Sequence, residues 1–266
     1  MTGGLEMQGA VPKLILDDIA KAFLSASGEE RSVLAGVSLE IQAGEFVCLV
    51  GASGSGKTTL IRILDGLLIP SSGRVLVDGK PVAAPGPDRG FVFQQDSLLP
   101  WRTVLDNVLF GLEVLKHDRG TSRATARALI ELVGLKGHEK QYPHELSGGM
   151  RQRVNLARAL AVDPDILLMD EPFAALDAQT REIMQRELLR IWGQRKKTVV
   201  FITHQIDEAL YLADRVMVLG GRPAHVRATI EVPFERPRDL AIKMHPDFVA
   251  RMREVWQLIQ QDGVEA

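Results

Sequence analysis

The chain lacks several features that would place it in a common class of protein. It has one cysteine, Cys48, among 266 residues, so no disulfide can form within it and we expect a reducing compartment. Its 32 basic and 34 acidic residues give a formal net charge of −2, which is not the electrostatic footprint of a nucleic-acid-binding protein. It has no uninterrupted apolar run of about 18 residues, so we expect no membrane span and assign any membrane role to a partner.

The remaining composition fits a chain with a sizeable core. Hydrophobic residues make up 45% of it, enough for one large domain or for a domain with a subdomain. The first ten residues, MTGGLEMQGA, contain neither a basic start nor an apolar run, so we expect no signal peptide. Residues 1–11 are predicted to form a disordered lead-in, that is, a segment without regular structure before the first strand. Cys48 lies within an apolar run and is interpreted as a core residue rather than as a reactive thiol.

Apolar runs alternate with helical patterns at both ends of the chain. Strands are predicted at residues 14–16, 37–41, 46–50, 74–77, 91–93, 166–169, 198–202 and 216–219. Helices are predicted at residues 60–67, before Pro70, and at residues 179–194 and 206–213. This alternation indicates a parallel sheet covered by helices. Because Val104 to about Ala161 has a mostly helical pattern, we expect a helical block inserted into an α/β core.

The segment GASGSGKTT, at residues 51–59, has the full spacing of a phosphate-binding loop. Its glycines let backbone N–H groups approach phosphate oxygens, and the following helix points its positive end at the same anion. Lys57 is predicted to reach the β- and γ-phosphates, and the Thr58 hydroxyl to bind Mg²⁺. A chance glycine-rich turn is the alternative, which the flanking strand and helix disfavour. The predicted nucleotide-binding residues of the loop are Gly51, Ser53, Gly54, Ser55, Gly56, Lys57, Thr58 and Thr59.

The predicted strand at residues 166–169 is followed by two carboxylates, Asp170 and Glu171. In a protein with a phosphate-binding loop, the first acid at such a strand end holds Mg²⁺, usually through water. The second can act as the general base that polarises the attacking water. The alternative is a strand that simply ends in an acidic turn.

The segment LSGGMRQR, at residues 146–153, leads into another predicted helix. The Ser147 hydroxyl and the free N–H groups of Gly148 and Gly149 predict a second anion site, although an ordinary capped helix is the alternative. This segment resembles the signature of ATP-binding cassette (ABC) proteins, and the resemblance covers about residues 13–220. It implies a P-loop NTPase (RecA-like) core with an antiparallel β subdomain and an inserted α-helical subdomain.

The resemblance also implies a division of the chain and several residue roles. The ATPase domain would span residues 12–224, with the helical subdomain at about 97–160. A mostly helical extension at 225–266 would pack on the core. Gln94 resembles the glutamine that contacts Mg²⁺ and the attacking water, His204 the histidine that contacts the γ-phosphate, and Phe23 the aromatic residue that stacks on adenine. Without the resemblance, a histidine at a strand end would be interpreted as structural.

In this family two subunits, here expected to be identical, enclose two ATP molecules head to tail. Each site would combine the phosphate-binding loop of one subunit with the LSGGM segment of the other. Asp177, in the sequence ALD, matches the loop that crosses the dimer interface. The arrangement is physically reasonable, because two opposed helix N-termini can clamp one γ-phosphate.

The sequence THQIDEA, at residues 203–209, is similar to that of importer subunits, and residues 97–108 resemble ATPases of nitrate, aliphatic sulfonate and taurine importers. The expected partners are a permease that contacts the Gln94–Trp101 region and, indirectly, a periplasmic or extracellular solute-binding protein. The chain would then lie at the cytoplasmic face of the plasma membrane. Trp101 could instead fold back onto the core. A soluble ABC ATPase acting on nucleic acid, the ribosome or cluster assembly, and a non-catalytic binding module, remain alternatives.

Overall fold

The computed structural model describes residues 11–25, 28–95 and 97–261. Ten strands run through this part of the chain: β1 (Leu14–Leu24), β2 (Glu30–Ile41), β3 (Phe46–Gly51), β4 (Ser72–Val77), β5 (Lys80–Pro81), β6 (Arg89–Val92), β7 (Ile166–Asp170), β8 (Thr198–Ile202), β9 (Arg215–Gly220) and β10 (His225–Glu231). Its seven α-helices are α1 (Lys57–Asp65), α2 (Val104–Val114), α3 (Arg119–Leu132), α4 (Gly148–Ala161), α5 (Ala178–Arg195), α6 (Ile206–Leu212) and α7 (Pro246–Gln260). The predicted lead-in lies outside the described residues except for Val11, as do the last five residues of the extension.

The larger sheet has six strands in the order β10-β9-β3-β8-β7-β6. The five strands from β9 to β6 pair in parallel, and β10 joins β9 antiparallel at the edge. All residues of β3, β7 and β8 are buried, as expected when helices or a second sheet cover both faces of a parallel sheet. The predicted α/β fold with a parallel sheet is confirmed.

The smaller sheet is antiparallel, with the order β2-β1-β4-β5. Strand β3 shows how it packs on the core, because successive side chains of a strand point to opposite faces. Val47 and Leu49 belong to the hydrophobic cluster that contains the smaller sheet and α1. Phe46, Cys48 and Val50 belong to the cluster on the other face, which contains residues of the helical block. One strand thus joins both cores, and Cys48 lies fully buried in the second.

The helical block is delimited by side-chain caps. Thr103, Asp118 and Ser147 each precede a helix, and their side-chain oxygens accept hydrogen bonds from backbone N–H groups of the first turns of α2, α3 and α4. Within the described part of the chain, no helix is long and apolar enough to cross a bilayer.

Two details of the structure differ from the sequence pattern. Helix α1 ends at Asp65 rather than continuing to residue 67, because Gly66 adopts φ 84° and its N–H closes the helix on the Ile63 carbonyl. The extension begins with β10, which continues the larger sheet, before α7 packs Phe248 and Val255 into the core. The division at residue 224 stays a prediction, although it separates two paired strands.

Replacement of Gly73 by alanine tests how closely β4 approaches β1. Gly73 has φ 79°, and an added Cβ would lie 2.2 Å from the backbone oxygen of Asp18. Gly79 has a similar φ of 73° but open space around its Cβ position. Gly79→Ala should therefore lower the free energy of unfolding by about 1–2 kcal/mol. Gly73→Ala should cost about 1–3 kcal/mol more, because backbone atoms must move. Equal losses for the two variants in urea denaturation would contradict this packing.

Candidate functional site

Four neighbouring parallel strands end at one edge of the larger sheet, and each is followed by predicted site residues. Strand β3 leads into the loop at residues 51–59, and β6 is followed two residues later by Gln94. Strand β7 ends in Asp170 and is followed by Glu171, while His204 lies two residues after β8. Because parallel strands place their carboxyl ends at the same edge, four separate segments meet there.

The loop after β3 is shaped for close approach of a ligand to its backbone. Helix α1 begins at Lys57, and its N-cap, Gly56, has φ 77° and no side-chain cap. An added Cβ at Gly56 would lie 2.7 Å from Leu34 Cδ2, and one at Gly51 would lie 2.4 Å from the Leu219 carbonyl oxygen. Glycine is therefore required at both positions. The uncapped first turn of α1 leaves N–H donors for an anion.

Lys57 lies inside this loop, and its residue surface is only 7% exposed. Its ammonium donates hydrogen bonds to the carbonyl oxygens of Gly51 at 2.9 Å and Ala52 at 2.8 Å, and to Ser55 Oγ at 3.3 Å. Burial lowers the pKa of Lys57, and the nearby carboxylates Glu171 and Asp170 oppose that shift. A partly desolvated cation beside the uncapped N-terminus of α1 fits a phosphate ligand.

Thr58 and Asp170 bring a hydroxyl and a carboxylate together beneath the loop. The Thr58 hydroxyl donates to Asp170 Oδ1 at 3.2 Å. Burial raises the pKa of Asp170, and the hydrogen bond from Thr58 acts in the opposite direction. Paired hard oxygen donors of this kind suit Mg²⁺, which takes one or two protein ligands and completes its shell with phosphates and water.

Glu171 is the point at which three of the segments meet. The Gln94 amide donates to Glu171 Oε2 at 3.3 Å, and His204 Nδ1 lies 3.3 Å from the same oxygen. Glu171 adopts φ 45°, an uncommon backbone conformation for a residue with a side chain, and its N–H donates to the Ile202 carbonyl. Local backbone strain of this kind is concentrated at functional sites, where the surrounding structure holds it.

These groups surround a cavity of about 610 Å³. That volume falls within the range of small-molecule sites. The residues that line it are Val33, Ser53, Gly54, Ser55, Gly56, Lys57, Thr58, Thr59, Gln94, Glu171 and His204. Val33, from β2, is the one lining residue that the sequence reasoning missed, since a valine in a strand carries no chemical signal.

The predicted residues Ser147, Gly148, Gly149 and Asp177 lie elsewhere, at the adjoining N-termini of α4 and α5. Ser147 Oγ accepts from the Met150 N–H at 3.3 Å, and Asp177 Oδ1 accepts from the Thr180 N–H at 2.9 Å. The hydrogen bonds from Thr180 lower the pKa of the Asp177 carboxyl. Ser147, Gly148 and Asp177 are exposed. Within one subunit they do not line the cavity of the phosphate-binding loop.

Phe23 is also outside the wall of this cavity. It lies in β1 with 40% of its surface exposed, and Lys21 Nζ lies 5.1 Å from the centre of its ring. Its cross-strand partner is Arg31, two residues before Val33. Because Val33 lines the cavity, this pairing brings Phe23 close to it. The exposed ring is available for stacking on a flat ligand.

Two further residues that the sequence reasoning missed hold the segments around His204. Arg181 donates to the carbonyl oxygen of Leu176 at 2.7 Å and to Gln205 Oε1 at 3.1 Å, which joins the Asp177 loop to the residue after His204. Glu208 is only 3% exposed and accepts a hydrogen bond from Gln185 at 2.9 Å. Burial raises the pKa of Glu208. Neither role has a sequence signal, because the partners are distant in the chain.

Trp101 projects from a loop that is firmly held from beneath. The buried Asn107 accepts from the Leu99 N–H and donates to the carbonyl oxygens of Leu99, Arg102 and Thr103. Trp101 itself is 72% exposed. The alternative that it folds back onto the core is therefore wrong, and the indole is accessible to a partner.

Comparison with known proteins identifies several similar sequences. A family model described as ABC transporter matches residues 34–174. An uncharacterized ABC transporter ATP-binding protein of Methanocaldococcus jannaschii is 53% identical over 85% of this chain and 85% of its own length. The taurine import ATP-binding protein of Rhizobium johnstonii is 48% identical over 91% of this chain and 94% of its own. The nitrate import ATP-binding protein NrtD of Synechococcus elongatus is 44% identical over 90% of this chain and 88% of its own length.

Solved structures give the same result. The dimeric structure of a post-hydrolysis state of an ATP-binding cassette, bound to ADP and Pi, superposes with a TM-score of 0.73. The two sequences are 33% identical, and the match covers 84% of this chain and 100% of the solved chain. The sequence-based prediction of a cassette ATPase fold is confirmed.

Replacement of Glu171 by glutamine tests the predicted general base. Because an amide cannot accept the proton of the attacking water, kcat for ATP hydrolysis should fall about 10²- to 10⁴-fold. ATP affinity, measured by equilibrium titration, should be retained, since Lys57 and the loop N–H groups are untouched. Glu182→Gln, at an exposed position of α5, serves as the control and should behave as wild type. Undiminished turnover in the Glu171 variant would remove the assignment.

Replacement of Phe23 by alanine tests the predicted adenine contact. Stacking of a base on an aromatic ring is worth about 1–3 kcal/mol, so ATP affinity should fall about 5- to 150-fold. Leu24→Ala is the matched control, because Leu24 is the next residue on β1 and is itself 77% exposed. Titration of both variants with ATP and with inorganic triphosphate separates the base contact from the phosphate contact. A weakened affinity for triphosphate would argue against stacking.

Proposed function

This chain belongs to the ABC transporter family of ATP-binding subunits, whose members hydrolyse ATP, and we propose that it powers an importer for a small anion. The proposal rests above all on one observation. Lys57, Gln94, Glu171 and His204 converge from four different strand ends on one cavity. A purely binding module has no need of a carboxylate held between an amide and an imidazole.

The chemistry follows from the contacts of these side chains. Lys57 and the N–H groups of the loop neutralise the phosphates of ATP and orient the γ-phosphate. Glu171 takes a proton from the attacking water, while Gln94 orients that water and the Glu171 carboxylate. His204, beside the same carboxylate, is placed to contact the γ-phosphate. Mg²⁺, when bound by Thr58 and Asp170 with Gln94 nearby, would offset the negative charge of the phosphates.

The second anion site would act in a dimer. Ser147 and Gly148 are exposed and Gly149 is half-buried at a helix N-terminus, and none of the three lines the cavity of its own subunit. A second copy, arranged head to tail, would bring this terminus to the γ-phosphate bound by the partner. Asp177 would lie at the same interface. The dimeric form of the similar cassette bound to ADP and Pi supports this arrangement.

The exposed Trp101 would be the contact with a separate membrane-spanning permease. Through Gln94, on the same short segment, docking would be linked directly to the catalytic carboxylate. The chain would then lie peripherally at the cytoplasmic face of the plasma membrane, with a solute-binding protein acting on the other side. The transported solute would not touch this subunit.

The class of solute is inferred from the relatives. Taurine and nitrate, which appear in the names of two of them, are both small and carry an anionic group. We therefore favour import of a small inorganic or organic anion over a soluble role on nucleic acid, the ribosome or cluster assembly. The formal net charge of −2 agrees with this choice.

Capture from native membranes would test the importer assignment. Tagged Glu171→Gln protein with Mg-ATP should recover a multi-spanning permease, identified by mass spectrometry. Trp101→Ala in this background should abolish recovery, because the apolar contact is lost while ATP binding is retained. Trp256→Ala is the matched control, as this tryptophan is 52% exposed but lies on α7. Recovery of nucleic-acid or ribosomal partners alone would overturn the importer role and leave the ATPase chemistry unchanged.

A further inference from the structure

A second cavity, of about 450 Å³, lies apart from the residues of the nucleotide site. It is formed by the C-terminal half of α5, the end of α6 and the segment at residues 236–238. Its lining residues are Arg186, Leu189, Arg190, Trp192, Gly193, Lys196, Tyr211, Arg236, Pro237 and Arg238. Five of these are basic and none is acidic. This is unusual in a chain whose formal net charge is −2.

Among the described residues, only two of these five cations form an ion pair with an acid. Arg190 pairs with Glu187, and Arg236 pairs with Asp214 at 2.8 Å. The side chains of Arg186 and Lys196 have no hydrogen bond or ion pair within the described ranges, although Lys196 lies over the Trp192 ring. The wall of the cavity therefore carries an excess of positive charge.

Arg238 is the most buried of the five, with 7% of its surface exposed. Its guanidinium donates to backbone carbonyl oxygens, among them Tyr211 at 2.9 Å and Ala213 at 2.7 Å. Burial, together with the neighbouring Arg236, lowers the pKa of Arg238 to about 10, so it remains charged at neutral pH. Asp214, the acid that faces Arg238, already forms an ion pair with Arg236. The buried Arg238 therefore lacks a full counter-charge.

Arg236, unlike Arg238, has one donor group without an acceptor among the described residues. Its Nε and Nη2 atoms donate to Asp214 and to the Leu212 carbonyl oxygen. Its Nη1 atom is buried and has no acceptor among the described residues. The guanidinium lies over the Trp192 ring instead, so Arg236 is held in place beside the cavity.

Uncharged residues supply the remainder of the wall, namely Leu189, Trp192, Gly193, Tyr211 and Pro237. The Trp192 ring centre lies 4.3 Å from the guanidinium carbon of Arg236 and 4.3 Å from Lys196 Nζ. Tyr211 is fully buried beside them, and its hydroxyl donates to the Arg238 carbonyl oxygen. Because both rings are buried, a ligand would meet the more exposed Leu189, Gly193 and Pro237 between the cations, which favours an anion with an apolar body.

We propose that this cavity is a binding site for a small organic anion with an apolar body. The anionic group contacts Arg186 and Lys196 at the rim, and the apolar body lies against Leu189 and Pro237. The site is separate from the nucleotide site, and its existence does not depend on the importer role.

The test is isothermal titration of the full chain with 2-naphthalenesulfonate. Saturating ADP is present throughout so that the probe cannot enter the nucleotide cavity. We expect saturable binding at one site per chain in the wild type. The double variant Arg186→Gln/Lys196→Gln should bind at least about tenfold more weakly, because charge-assisted contacts are lost. Both side chains are exposed, so the fold should be unaffected.

The matched control is Arg253→Gln/Lys140→Gln, which removes the same charges at exposed positions outside the cavity. It should retain wild-type affinity for the probe. The neutral analogue 2-naphthalenemethanol and inorganic sulfate should each bind at least about tenfold more weakly than the probe. Absence of saturable binding, equal affinity in both double variants, or equal binding of either analogue would overturn the proposal.

Discussion

In a parallel sheet every strand presents its carboxyl end at the same edge, and the chemistry of this chain depends on that constraint. Strands β3, β8, β7 and β6 are neighbours in the sheet, although they are far apart in sequence. The loop that holds Lys57, the acids at residues 170 and 171, Gln94 and His204 therefore meet at this edge. Because β8 pairs directly with β7, His204 lies beside Glu171.

A layer of buried polar contacts supports this edge from behind. Arg181 connects the Asp177 loop to Gln205, and Gln185 connects α5 to Glu208 in the first turn of α6. Lys243, in the C-terminal extension, donates to Gln185 and to Asp207. Arg238 holds the carbonyl oxygens at the other end of α6. Both ends of the helix that follows His204 are thus fixed, and two of its anchors, Lys243 and Arg238, come from the C-terminal extension.

Periodicity and motif spacing were sufficient for the parallel sheet and the helical block, whereas the antiparallel subdomain was expected only from the family resemblance. The apolar runs at residues 46–50, 166–169 and 198–202 were recognised as strands because fully buried parallel strands have continuous apolar sequences. Strand β10 was missed because it pairs at the sheet edge and alternates only weakly between buried and exposed positions. The end of α1 was misplaced because the backbone conformation of Gly66 outweighed the more conspicuous Pro70.

The site was predictable only as far as its residues stand in local motifs. The loop residues, Gln94, Glu171 and His204 could be named from sequence, and the structure brings them to one cavity. Val33, Arg181 and Glu208 could not, because their roles arise from contacts between distant segments. The cationic cavity around Trp192 was also invisible, since its basic residues come from α5 and from the tail and look like ordinary solvated charges in the sequence.

The isolation of Cys48 has a practical consequence. The only thiol of the chain lies fully buried in the centre of the sheet, and burial raises its pKa well above the ordinary value. Thiol-directed reagents need the thiolate and access to it, so the native protein should stay unmodified under mild labelling. A cysteine introduced at an exposed position would then carry a spin or fluorescent label alone. Distances between such labels on two copies could be followed through the ATP cycle without first removing a native residue from the core.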